Sequence, residues 1–274
     1  MLGDFVSFNG HLIPKDDAKI SIDDIEWTYG FGVYENIRLA NGTIYFPDEH
    51  ITRLFHSAAT INLPHELNEA HVMTWMNELI AKNDIQTANI KMLLIGGNTA
   101  SDARLFIFLL APKFPEKTMY RDGVVVITER YERFLPQAKT LNMLPSYLAY
   151  KKAQTTGAFD TLYINREGCI LEGTRSNFFA MKGMVLMTPP EASVLSGVTR
   201  NTVIDCAKKH GYTVEEREIP LADISAYDSA FLTNTSGKIV PIRKIDAMDL
   251  KPIPESMKNL MRWYDEYVKE IHKK

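Results

Sequence analysis

Two spacings of apolar residues alternate along this chain, every second residue and every third to fourth, and the switches between them lay out its elements. Residues 4–13 alternate around Asn9-Gly10, which predicts a hairpin. Apolar runs at 33–39 and 43–46, joined by Asn41-Gly42, predict a second one, because Asn-Gly readily takes the positive φ values of a two-residue turn. Pro47-Asp48-Glu49 then opens a helix with acids in its first turn. Ile51, Leu54, Phe55, Ala58 and Ile61 form its apolar stripe. A second helix over 68–82 carries Val72, Met73, Met76, Leu79 and Ile80 at the same spacing. Strands at 90–95 and 104–110 follow, separated by Gly96-Gly97-Asn98.

Two prolines in Ala111-Pro112-Lys113-Phe114-Pro115 break the pattern and suggest a domain boundary. The expected division is a small N-terminal α/β domain, 1–113, and a larger C-terminal domain, 114–274. In the second part, 124–128 reads as a β-branched strand and 146–156 as a helix ending at Gly157. Short strands at 161–164, 169–171, 177–181 and 185–188 form a meander, with tight turns at Glu167-Gly168 and Lys182-Gly183. A helix over 199–210 ends at Gly211, and strands near 214–218 and 230–233 follow. The last helix, 256–272, carries Met257, Leu260, Met261, Tyr264 and Val268. Clumped strands and helices without regular βαβ alternation indicate an α+β fold.

Composition narrows the function classes. Of 274 residues, 45% are hydrophobic and 24% charged, which suits a globular chain and disfavours long disorder. The 31 Lys and Arg against 34 Asp and Glu leave a net charge of −3, with no basic excess for nucleic acid or an anionic membrane. Two cysteines, Cys169 and Cys206, are too few for a disulfide scaffold or a four-cysteine zinc site, and suit a reducing compartment. No apolar run reaches the ~18–20 residues of a membrane span, and the N-terminus lacks a signal peptide's basic head and apolar stretch. A soluble cytoplasmic protein is the expectation. The Asn234-Thr235-Ser236 sequon, without a secretion signal, reads as coincidence.

Common catalytic motifs are missing. His65-Glu66 and Glu69…His71 lack the H-E-x-x-H spacing, so no metal site is expected. Gly30-Phe31-Gly32 lacks the third glycine of a dinucleotide fingerprint, Gly96-Gly97 has no P-loop lysine after it, and no G-x-S-x-G elbow occurs. Lys139 is more informative. It follows Pro136 and precedes a helix, with Ala138, Leu141, Met143 and Leu144 around it. A lysine in apolar surroundings loses proton affinity and can form a Schiff base. Lys151 and Lys152, in a polar helical run, read as solvated.

Five segments in register resemble the class IV aminotransferases, the fold-type IV family of pyridoxal phosphate enzymes. They are Tyr29-Gly30-x-x-Val33-Tyr34-Glu35, His50-Ile51-x-Arg53-Leu54-x-x-Ser57-Ala58, Lys139-Thr140-Leu141-Asn142, the stretch from Glu172-Gly173-x-x-Ser176-Asn177-Phe178-Phe179 to Leu195-x-Gly197-Val198-Thr199-Arg200, and Thr233-Asn234-Thr235-Ser236-x-x-Ile239-x-Pro241. The resemblance implies a two-domain fold similar to D-amino acid aminotransferase, a homodimer, and ping-pong transamination between amino acids and 2-oxo acids. It also implies roles. Lys139 is then the Schiff-base lysine and proton shuttle, and Glu172 faces the ring nitrogen. Arg53, Val198 and Thr199, with Thr235 or Ser236, hold the phosphate, Leu195 packs on the ring, and Ser176, Asn177 and Gly197 complete the cofactor set. A helix start after Gly197 suits a dianion on physical grounds as well. Position alone makes Arg53 a solvated arginine opposite the apolar stripe, and Glu172 a turn residue; the resemblance reverses both.

The substrate end departs from the family pattern. Branched-chain enzymes have a tyrosine-x-arginine pair where Asn89-Ile90-Lys91 stands, a glycine where Asn36 stands, and a tyrosine five residues after the lysine, where Leu144 stands. Tyr34 and Leu144 are closer to the D-amino acid enzymes, but no arginine-x-histidine pair occurs around Gly96 to Ala100. Tyr34, Arg38 and Lys91 are the candidates for substrate binding. An aminodeoxychorismate lyase of the same fold is the alternative activity, and a non-catalytic scaffold a second.

Overall fold

Both Asn-Gly turns adopt the left-handed backbone that their sequences favour, with φ of 46° and 87° at Asn9-Gly10 and 50° and 77° at Asn41-Gly42. The computed structural model describes residues 1–272, which divide into two units. The first holds Met1–Lys113 together with Ala138–Met143. The second holds Phe114–Gln137 and Leu144–Lys274, less the last two residues.

In the first unit the order is β1 (Leu2–Phe8), β2 (His11–Pro14), α1 (Ile25–Thr28), β3 (Gly32–Ala40), β4 (Thr43–Ile44), α2 (Pro47–Thr60), α3 (Glu69–Asn83), β5 (Ala88–Ile95) and β6 (Arg104–Leu110). The six strands form one antiparallel sheet, ordered β2-β1-β6-β5-β3-β4. Its alternation sends Val33, Ile37, Ile90, Met92, Leu94, Leu105 and Ile107 to a face covered by Ile51, Leu54 and Ala58 of α2 and Val72, Met76 and Leu79 of α3. Each such buried side chain contributes about 1.5–3 kcal/mol of transfer free energy. The two helical stripes expected from sequence are the ones buried. By the same alternation, Tyr34, Asn36 and Lys91 share the opposite face, where Asn36 pairs with Lys91.

Ala138–Met143 belongs with the first unit, although the sequence reading assigned it to the domain at 114–274. Tyr34 donates its N–H to the Lys139 carbonyl at 2.9 Å, and Leu141 donates to Gly32 at 2.8 Å, so the segment pairs with the start of β3. This pairing joins residues more than a hundred positions apart, which local patterning cannot reveal.

The second unit runs α4 (Lys117–Asp122), β7 (Val124–Arg130), α5 (Leu144–Thr155), β8 (Asp160–Ile164), β9 (Ile170–Gly173), β10 (Asn177–Lys182), β11 (Val185–Thr188), α6 (Val198–Lys209), β12 (Thr213–Glu216), β13 (Ser229–Asn234), β14 (Lys238–Ile245), β15 (Met248–Asp249) and α7 (Glu255–Ile271). Its sheet is ordered β12-β11-β10-β13-β14-β7-β8-β9, with β15 on β14. A pairing of Asn177 with Glu172 joins β10 to β9 and closes six of these strands into a ring. The expected meander is thus two hairpins, β8–β9 and β10–β11, with β13 and β14 in the same ring. β14 went unread in the sequence because Pro241 interrupts it and it is buried with little alternation. Pro241 nevertheless pairs in register with Phe231.

Candidate active site

Lys139 reaches its position through its backbone. Its N–H donates to Ser57 Oγ at 3.0 Å, and Ser57 is fully buried on α2. The Lys139 Nζ then lies 4.5 Å from the centre of the Tyr34 ring. Lys91 Nζ lies 3.7 Å from the same ring. The electron-rich face of a phenol suits an ammonium group. Burial nevertheless pushes Lys91 down to about 8, and the Lys139 charge pushes the same way, against Tyr34 and Glu35. Arg38 is farther along the same face of β3, 5.6 Å from the Tyr45 ring.

Arg53 is not the solvated residue that its helical position suggests; its side chain is only 11% exposed. It grips the fully buried Glu35 with two bonds, Nε to Oε1 at 2.7 Å and Nη2 to Oε2 at 2.8 Å. His50 Nδ1 is 2.7 Å from Glu35 Oε2. Burial alone would push the Glu35 carboxyl up, but Arg53 and His50 outweigh it and hold the group well below the usual carboxylate range. Burial holds His50 below its ordinary value despite Glu35, with Arg53 and Lys139 adding to the effect, so the neutral ring donates Nδ1–H. His50, Arg53 and Ser57 are spaced by three and four residues, so they line one face of α2 beside the apolar stripe. That second stripe was the available signal for His50 and Ser57, and Glu35 shows as an acid among β3's apolar residues.

In the second unit, Glu172 is the penultimate residue of β9 and is 4% exposed. Oε1 accepts from Arg133 Nη1 at 3.2 Å and Oε2 from the Leu195 N–H at 3.2 Å. Both groups fix the carboxylate's direction. The turn after it is held by Asp160, whose Oδ1 accepts from the Thr174 N–H at 3.2 Å and hydroxyl at 2.5 Å, and whose Oδ2 accepts from Ser176 Oγ at 2.8 Å. Asn177 Nδ2 donates to the Leu195 carbonyl at 2.8 Å. Ser176 and Asn177, expected in the cofactor set, thus spend these groups on holding the Glu172 turn and the Leu195 segment. Asp160 and Arg133 were not singled out from sequence, although an acid inside the apolar run Asp160-Thr-Leu-Tyr-Ile signals a buried group that needs donors.

Gly197 is the N-cap of α6 and makes no side-chain cap bond. The first N–H groups of a helix have no intrahelical acceptor, and here they belong to Val198, Thr199 and Arg200. A Cβ at Gly197 would lie 2.0 Å from Asn177 Oδ1, so glycine is required there. Thr235 and Ser236 are half-buried in the turn between β13 and β14, where Gly237 donates to Asn234 Oδ1 at 2.6 Å. The candidates therefore fall into two groups. Tyr34, Arg38, Arg53, Lys91 and Lys139 belong to the first unit. Glu172, Ser176, Asn177, Leu195, Gly197, Val198, Thr199, Thr235 and Ser236 belong to the second. Among the described residues, no group of three or more His, Cys, Asp or Glu is placed to hold a metal ion, and no helix is long and apolar enough to cross a membrane.

Comparisons with known proteins identify the family. The family model described as Amino-transferase class IV matches residues 32–245. The chain is 33% identical over 257 residues to a D-alanine aminotransferase of Listeria monocytogenes, covering 89% of each. It is 28% identical over 259 residues to a branched-chain-amino-acid aminotransferase of Pseudomonas aeruginosa, covering 87% of this chain and 84% of that one. A crystal structure of the branched-chain aminotransferase from the thermophilic archaeon Thermoproteus uzoniensis, with norvaline, superposes with a TM-score of 0.88 at 26% identity, over 99% of this chain and 97% of that one.

Proposed function

Because the chain belongs to the class IV aminotransferase family, we propose that it moves amino groups between an amino acid and a 2-oxo acid with pyridoxal 5'-phosphate bound at Lys139. When bound, that cofactor supplies an electrophilic carbon for amines and a conjugated ring that accepts the electron pair left at the substrate Cα. The donor set fits such a group. It offers a lysine amine on an aromatic face, a buried carboxylate and a helix start with no side-chain cap.

The residues then have separate tasks. Lys139 Nζ would hold the cofactor and, as a free amine, would move a proton to and from the substrate Cα. Glu172, aimed by Arg133 and Leu195 N–H, holds a proton at the ring nitrogen. The first turn of α6, at Val198 and Thr199, would receive the phosphate with Thr235 and Ser236, and the family resemblance assigns Arg53 to the phosphate as well. Glu35 fixes the orientation of the Arg53 guanidinium. Leu195 would pack on the ring, and Gly197 would let the backbone approach closely. Ser176 and Asn177 hold the surrounding turns. Lys91, with Tyr34 and Arg38, takes the substrate carboxylate.

The observation that carries this reading is Lys139 Nζ on the Tyr34 ring, with its backbone pinned to Ser57. Relatives named for aminotransferase activity favour transamination over the lyase alternative. Both D-alanine and branched-chain enzymes are among them, so the substrate is an amino acid of one of these two types. The protein works as a cytoplasmic homodimer. A second copy over residues 22–29 would cover Ile22 and Tyr29, which are 96% and 82% exposed. A half-reaction screen with paired D- and L-amino acids, following bleaching of the bound cofactor's visible band, tests the activity. Bleaching by D-alanine or by L-leucine, L-isoleucine and L-valine is expected. No bleaching by any amino acid would contradict it.

A further inference from the structure

Two ammonium-bearing side chains rest on one phenol ring. Lys91 Nζ is 3.7 Å from the Tyr34 centroid and Lys139 Nζ 4.5 Å from it. The arrangement is fixed by backbone on both sides. Lys91 pairs with Asn36 and Leu93 with Tyr34, so Lys91 stands one pleat from the tyrosine. Tyr34 N–H in turn donates to the Lys139 carbonyl, so Lys139 is tied to the same residue. The ring attracts each cation taken singly. Two like charges on it repel, and partial burial weakens the screening between them.

We propose that Lys91 is a positioning residue for Lys139: its ammonium, held on the same Tyr34 ring, repels charge at the Lys139 Nζ and so favours the uncharged amine there. That is the form able to bond to a carbonyl carbon or to accept a proton. The inference rests on Lys139 being the nucleophilic amine of the reaction.

The charges around the pair point the same way. From β3, Tyr34 faces it, Glu35 acts on it from the opposite face of the strand, and Arg38 on the Tyr34 face is turned to Tyr45. From α2, His50 and Arg53 approach through Glu35. On β6, the residue opposite Lys91 is the apolar Phe108. Glu35 is already matched by Arg53 in a two-bond grip, and burial keeps His50 neutral. The Glu35 charge is therefore shared before it reaches either lysine. Burial and the Lys139 charge both lower Lys91, to about 8. Coupling between two sites is reciprocal, so the charge on Lys91 acts on Lys139 with the same free energy.

Trace acetylation of the full chain with acetic anhydride, freed of pyridoxal phosphate, tests this directly. Each lysine's reactivity is read by peptide mass spectrometry from about pH 6 to about pH 11. Lys91→Met should move the Lys139 midpoint up by about one pH unit. Lys91→Arg, which keeps its charge across the range, should not raise it. Lys139→Met should move the Lys91 midpoint up in turn, a reading that stands even if Lys91→Met folds poorly. A Lys139 midpoint unmoved in folded Lys91→Met, or raised equally in Lys91→Arg, would overturn the proposal. Borohydride reduction of the holoprotein reads separately where the cofactor attaches. Its failure at Lys139 would remove the proposed function and leave the measured coupling in place.

Discussion

Glu35 is the acid at the centre of a buried charged cluster in the first unit. It is fully buried, and its charge is stabilised by Arg53 on both oxygens and by His50 on one. Removing one partner of a buried pair strands the other, at a cost of about 3–5 kcal/mol. Arg53→Met should therefore lower unfolding free energy by about that amount. Adding Glu35→Gln to it should recover part of the loss, because the stranded charge is gone. Urea denaturation of the two variants checks this, and a double variant no more stable than Arg53→Met would contradict it. His50 gives a pH test. Its folded value lies below the ordinary imidazole value, so the unfolded chain takes up the proton first as pH falls. The stability it contributes is complete above about pH 6.5 and is lost below that. Glu35 is lowered too, and its contribution is lost only below about pH 4.3. Burial also lowers His65, so the wild-type slope contains both imidazoles. Melting temperatures of His50→Gln should fall less steeply between about pH 7 and about pH 5 than wild type, with the acid limb retained. An unchanged slope would place the proton elsewhere.

At the scale of elements, the start of α6 shows how a helix end, a glycine and an asparagine work as one part. Asn177 bonds the Leu195 carbonyl, and its amide fills the space where a Cβ at Gly197 would stand. Gly197→Ala must displace that amide, at about 1–3 kcal/mol for overpacking, and should weaken pyridoxal phosphate binding. Thermal melting without cofactor and a fluorescence titration with it read the two effects. Because the residues touch, Gly197→Ala with Asn177→Ala should be less harmful than the sum of the two; additivity would contradict the contact. Elements with strong periodicity were legible from sequence, as the stripes of α2 and α3 and the Asn-Gly hairpins show. β14 was not, since a buried run containing Pro241 gives neither alternation nor a helical stripe. On α2 the apolar stripe was evident, whereas the polar line of His50, Arg53 and Ser57 beside it acquires meaning only once Glu35 and Lys139 are its partners.

Over the whole molecule, the family resemblance singled out residues that position in the sequence alone made look solvated. Arg53 and Glu172 read as solvated by position, yet both are nearly or fully enclosed among charged and backbone partners. Those partners come from elsewhere in the chain: β3 for Arg53, the 131–137 loop and the Leu195 segment for Glu172. The assembly has its own test. Sedimentation equilibrium should give the mass of two chains, and Ile22→Glu with Tyr29→Glu should shift it toward one, since both side chains are exposed on the single chain; a wild-type monomer would contradict the homodimer. The central claim is that Lys139 is the residue that carries pyridoxal phosphate, and one measurement addresses it most directly. The full chain is loaded with the cofactor, reduced with borohydride, digested and sequenced by mass spectrometry, beside Lys139→Ala. A phosphopyridoxyl group on Lys139, absent from the variant together with transamination, is the predicted result. The same group on Lys91, Lys151 or any other lysine, or full activity in Lys139→Ala, would contradict it.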